Sequence, residues 1–214
     1  MKTLLLLTTA SVGLAAGAAD AATISFAGYQ TALNPGEFLV TNFDNPLTTA
    51  SGFTLTGNAA FLTGSSSNGA APAFSDTQRD PTQYLSIEAG QKEVLSTPAL
   101  KEISFYVGSL DSYNELTFSF VGGGTQSFSG NDLAGAVTQA DNGDQQAVNT
   151  NGRYTFTFGK AIDGVTLASS QNSFEISNIG AAGVPEPTTW AMMLVGFGGL
   201  GGMLRGNRRK PVAA

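Results

Sequence analysis

Apolar and polar residues alternate in short runs along most of this chain. Ile103, Phe105 and Val107 alternate with Glu102, Ser104 and Tyr106, and Leu116, Phe118 and Phe120 alternate with Glu115, Thr117 and Ser119. Tyr154, Phe156 and Phe158 alternate with Thr155 and Thr157. Leu85 with Ile87, Val165 with Leu167, and Phe174 with Ile176 repeat the theme, and residues 23–26, 38–43 and 53–56 carry weaker versions. A period of two places alternate side chains on one face, so each run predicts a half-buried β-strand. Turn clusters separate the runs: residues 34–36, 64–69, 122–124, 141–144 and 149–152 are rich in Gly, Asn, Asp and Pro. Only residues 132–140 read as a short helix. Many short strands without helical crossovers predict two antiparallel sheets packed face to face. The expected class is all-β, a single jelly-roll-like antiparallel β-sandwich over residues 22–180, with an immunoglobulin-like sandwich as the alternative. Residues 64–72, low in complexity, read as a mobile loop.

The two ends break this pattern. Lys2, the run after Leu4 and the small pair Ala19 and Ala21 have the layout of a secretory signal peptide over residues 1–21, cleaved before Ala22 by signal peptidase. At the other end no residue from Thr188 to Leu204 is charged. At ~1.5 Å per residue this run spans roughly 25 Å as a helix, close to the ~30 Å hydrocarbon core. Trp190 sits at its outer edge, and Arg205, Arg208, Arg209 and Lys210 follow at the other, so the body is expected outside the inner membrane. Residues 181–187 read as the tether. Gly198 and Gly202 form a G-x-x-x-G pair that either packs two helices or is an indifferent glycine-rich stretch. The G-x-G-x-x-G at Gly196, Gly198 and Gly201 is no dinucleotide motif, because it lacks the strand and βαβ unit such a site needs.

The order Pro185-Glu186-Pro187, Trp190-Ala191, glycine-rich span and basic stop over residues 185–210 resembles the PEP-CTERM sorting signal in its PEPxxWA form. The resemblance implies a Gram-negative, polysaccharide-making bacterium and a membrane protease partner, exosortase, that cuts near Pro-Glu-Pro. The product would be carried to the outer surface or extracellular matrix. Three stretches of the body, Phe105 to Asn114, Asn151 to Phe156 and Ser173 to Ile179, resemble a group of exosortase-dependent surface proteins more loosely. The prolines supply a physical reason for recognition. They hold the chain extended and remove backbone donors, which offers a protease a ready-made strand.

Composition narrows the chemistry. The chain has no cysteine, so no disulfide framework exists, and no histidine, so Ser-His-Asp and Cys-His catalysis are excluded. Zinc and copper sites of the usual nitrogen and sulfur kind are excluded too. The net charge of −6 understates the acidity of the body, whose only basic residues are Arg79, Lys92, Lys101, Arg153 and Lys160. That balance excludes a nucleic-acid footprint.

Carboxylate chemistry remains. Asp111 and Glu115 are the best-placed pair for a glycosidase, or else they are a solvated turn and strand edge. Calcium takes carboxylate and amide oxygens, which Asp141, Asn142 and Asp144 concentrate on one turn and Asp111 with Asn114 on another. Either cluster also reads as a plain turn whose Asp and Asn bond their own backbone. No other cofactor is expected. Tyr106, Asp111, Tyr113 and Asn114 are the candidate carbohydrate contacts, with Tyr106 read as lying on the polar face of its strand. The expected function is a non-enzymatic, exported surface or matrix protein. A polysaccharide-binding module and a secreted glycosidase are the alternatives.

Overall fold

The computed structural model describes residues 22–183, together with Phe197. Those residues form β1 (Thr23–Gly28), β2 (Phe38–Thr41), β3 (Thr54–Gly57), β4 (Ala60–Thr63), β5 (Gln83–Ile87), β6 (Lys92–Gly108), β7 (Asn114–Phe120) and β8 (Thr125–Ser129). They continue with α1 (Gly130–Val137), β9 (Gly152–Ser169) and β10 (Phe174–Gly183). The strands join in one ten-stranded antiparallel network whose main path is β4-β5-β10-β6-β9-β7-β8. In addition β1 pairs with β9, β2 with β10 and β3 with β6.

This network folds over itself. Phe118 stands opposite Val165 in the β7–β9 ladder, nine positions along β9 from Phe156. A straight strand would hold those positions about 30 Å apart. The Phe118 and Phe156 rings are instead 4.8 Å apart between centroids, so β9 bends back and brings its two halves into separate layers. The register locates the bend. Residues 97–99 of β6 face one residue of β9, and residues 158–161 of β9 face one residue of β6. Pro98 has no N–H for a ladder, so it suits such a bulge.

One layer therefore holds β4, β5, β2, β10, the later half of β6, the earlier half of β9, and β1. The other holds β3, the first half of β6, the second half of β9, β7 and β8. Phe105, Phe118, Phe156 and Phe158 meet between the layers with Leu95, Leu116, Ile162 and Leu167. The antiparallel all-β class is as expected. The hydrogen-bonding order is one doubled network rather than two separate sheets, and it does not itself spell a jelly roll.

The outer face of the first layer is also covered. Loop 29–37 runs back along it from the far end of β1 to the start of β2. Arg153, 1% exposed, donates to the carbonyls of Thr31 and Ala32 (2.8 and 2.9 Å), to Ser104 Oγ (2.9 Å) and to Asn178 Oδ1 (2.5 Å). Loop 64–82 covers the neighbouring area. Tyr106 is wholly buried there, edge-on to Phe74 at 5.3 Å, with its hydroxyl donating to the Ala73 carbonyl. The expectation that Tyr106 lies on a solvated polar face is therefore corrected. Alternation finds the second face of a strand but does not show that loops cover it.

Three boundaries also change. The helix spans Gly130–Val137, earlier than the expected 132–140, because Ser129 and Asp132 form a capping box at its start. Residues 181–183, read as tether, belong to β10, and Ala181 is buried. The runs around Phe156 and Val165, read as two strands, are one.

The ends of the domain come together. Thr23 pairs with Thr157, Thr157 with Glu102, and Glu102 with Ala182. Both ends thus lie on one cross-strand row beside the bend, three strand spacings or about 14 Å apart. Among the described residues no helix is long and apolar enough to cross a membrane.

Candidate functional site

The strand ends opposite the bend converge on a polar hollow of about 160 Å³. Its walls include Ser66, Asp111, Tyr113, Asn142, Asn172 and Glu175, drawn from four separate chain segments. Asp111 and Asn142 face each other in an isolated antiparallel bridge, and the Gly143 N–H donates to the Leu110 carbonyl at 3.0 Å. Gly143 adopts φ 67°, and a Cβ there would lie 2.3 Å from Asp111 Oδ1, so the 141–144 turn seats the Asp111 carboxylate directly. Two oxygen-rich turns read separately in the sequence are thus one place in the fold.

Glu175 anchors the hollow from below. It is 2% exposed, and its Oε1 accepts from the Ala70 N–H (3.0 Å) and from Ser173 Oγ. Its Oε2 accepts from Ser109 Oγ at 2.9 Å. Burial pushes its carboxyl above the ordinary carboxylate range, against the pull of those three donors. Asp111 is raised too, first by burial and then by the Asp141 charge, while the neighbouring Tyr113 hydroxyl opposes the shift. Burial and the neighbouring Asp111 raise Tyr113, whose hydroxyl donates to the Asn172 carbonyl at 2.7 Å.

The other sequence candidates fall outside this hollow. Asn114 is 1% exposed and serves the fold: its Nδ2 donates to Ser169 Oγ (3.3 Å) and the Ser173 carbonyl (3.2 Å). Asn114 thus serves as a buried strut between β7 and the segment before β10. Asp111 and Glu115 do not share a cleft, since Glu115 lines the adjacent shallow groove and accepts from Thr117 Oγ1 at 2.9 Å.

The three proposed calcium ligands diverge. Asp144 Oδ1 accepts from the Gln146 and Ala147 N–H groups (2.9 and 3.1 Å), which is the turn role of an aspartate. Asn142 lines the hollow, while the Asp141 Oδ2 is buried without a partner. Among the described residues no three acidic side chains converge on a metal-sized site. Sequence reasoning missed Glu175, which sits between Phe174 and Ile176 like any outward polar residue. It also missed the Ser66, Gln145 and Asn172 loops, whose meeting is set by long-range pairing.

Gly183 closes β10 at the bend end, opposite the hollow. Residues 183–210 match the PEP-CTERM protein-sorting motif. The chain carries this sorting motif directly after its last strand. The PEP-CTERM motif marks an exosortase-dependent, exported surface protein, made through a membrane-anchored precursor in a Gram-negative bacterium. The matched stretch contains Pro185, Glu186, Pro187, Trp190, Ala191, Arg205, Arg208, Arg209 and Lys210, all of which lie outside the described residues. The expected signal peptide with Ala19 and Ala21, and the span over 188–204, lie outside them too. No curated protein matches the chain.

Proposed function

We propose that the mature protein is a non-catalytic surface or matrix component whose β-domain is delivered by its PEP-CTERM tail. The observation that carries this is the placement of the motif immediately after β10, so that cutting near Pro185–Pro187 releases a finished domain with no strand severed. Exosortase and signal peptidase are the processing partners, and exopolysaccharide is the surrounding matrix. The test is the intact mass and C-terminal peptide of protein recovered from the native cell surface. Loss of everything beyond the 185–191 region supports the reading. Recovery of Arg208 and Lys210 on membrane-bound protein refutes it.

A second reading follows from the hollow itself. Its size suits one sugar ring, and its Ser, Asn, Asp and Tyr walls match hydroxyl groups better than apolar or strongly charged ligands. Under this reading the domain grips matrix polysaccharide through Asp111, Tyr113 and Asn142. Retention on immobilised exopolysaccharide that is lost in Asp111→Asn or Asn142→Ala supports it. Equal passage of wild type and variants refutes it.

A further inference from the structure

The chain leaves the domain through an apolar rim. Phe38 stands opposite Ala181 in the β2–β10 ladder, and a Cβ on Gly183 would lie 3.9 Å from its ring. Phe38 also meets Phe53 edge-on at 5.9 Å, and a Cβ on neighbouring Gly52 would lie 3.7 Å from Pro98 at the bend of β6. Phe38 and Leu39 are 39% and 46% exposed, and Pro98 and Ala99 are exposed beside them. The second layer adds Val121, exposed at the same end, whose N–H donates to the Ala161 carbonyl in the bend of β9 at 3.0 Å. The charges nearby, Lys101 and Lys160 with Glu37, Glu102 and Asp163, nearly balance. The opposite end carries the polar hollow.

Only four residues, 184–187, separate Gly183 from the uncharged run at 188–204. Fully extended, they reach about 14 Å. The anchored chain therefore holds this end of the domain, and no other, at the membrane surface.

We propose that the rim formed by Phe38, Leu39, Pro98, Ala99 and Val121 rests on the bilayer while the tail is anchored, and lifts off once the tail is cut. A handful of half-exposed apolar side chains is too small to hold a free protein on a membrane. Tethering supplies the missing effective concentration. Contact would press the Pro185–Pro187 segment against the headgroups, where a membrane protease works. The inference rests on the membrane-anchored precursor.

The chain lacks cysteine, so Leu39→Cys gives a single attachment point for an environment-sensitive NBD fluorophore, and Ser112→Cys gives the control at the far end. Each labelled full-length chain is placed in phosphatidylcholine–phosphatidylglycerol vesicles and floated to confirm anchoring. The expected result is blue-shifted emission at position 39 that nitroxide-labelled lipid extinguishes, with neither effect at 112. Adding Phe38→Asp should return the position-39 emission towards its value in water while the β-sheet circular dichroism persists. Floating chains with equal, unquenched emission at both positions would overturn the rim contact alone. A shift that follows protein concentration and ignores the quencher would overturn it in favour of a second copy of the chain. Failure to float would overturn the anchored precursor, and the rim contact with it.

Discussion

Glu175 has both carboxylate oxygens occupied by donors, yet burial still raises its pKa. Burial raises Glu93 as well, against a hydrogen bond from Ala59. With Asp111, the folded domain therefore holds these three protons more tightly than the unfolded chain, whose ordinary values are 3.8 for Asp and 4.5 for Glu. In the window between the unfolded and the raised folded values the native state binds more protons, so stability falls as pH rises. Below that window the stabilisation is complete. Thermal melts should show a midpoint that drops as pH climbs from about 4.5 towards neutrality, and Glu175→Gln should flatten that slope. Gly143→Ala places a methyl group on the Asp111 carboxylate at a left-handed backbone position. It should cost about 1–2 kcal/mol or more in denaturant melts, and weaken any polysaccharide retention with it.

Among the elements, loop 29–37 is held chiefly by Arg153, beside a bond from Asn34 Nδ2 to Thr155 Oγ1 at 2.9 Å. Removing Arg153 leaves four acceptors in a covered layer without their donor, so Arg153→Ala should cost about 3 kcal/mol or more and open residues 29–37 to protease before the strands unfold. The core depends on β7 in a similar way. Phe118 touches Phe105, Phe128, Phe156 and Phe158, and Phe118→Ala should cost about 3–5 kcal/mol in chemical unfolding.

Sequence alternation found the strands whose two faces differ: β5, β7, β10 and parts of β6 and β9. It did not find β4, because Ala60-Phe61-Leu62-Thr63 is too short and uniform to show a period. Nor did it find β8, whose Thr125–Ser129 run offers a single large apolar residue, Phe128. It split β9 because the bend resets the alternation between Phe158 and Ile162. The hollow was half legible. Asp111, Tyr113 and Asn142 were marked by turn chemistry, while Glu175 and Asn172 come together only through the β10 register, which no local pattern contains.

At the scale of the molecule, the bend sorts the surface into two ends. Thr23, Gly183 and the apolar rim share one end, and the polar hollow occupies the other. Since Thr23 and Ala182 lie on one row about 14 Å apart, a linker of about five residues should span them. A permutant that joins residues 22 and 183 and opens the Gly122–Gly124 turn should fold with a near-native melting temperature. A large fall would mean that the native ends are needed to set the bend.

The placement of β10 has a mechanical consequence. The strand that leads to the anchor is an interior strand, held by β6 on one side and by β5 and β2 on the other. If the far end grips matrix while the tail is still in the membrane, tension runs along the axis of β10. Its hydrogen bonds on both flanks are then loaded in shear together, and none can be peeled away first. The linkage between matrix and membrane would give way at the tether or its anchor before the domain lost its last strand.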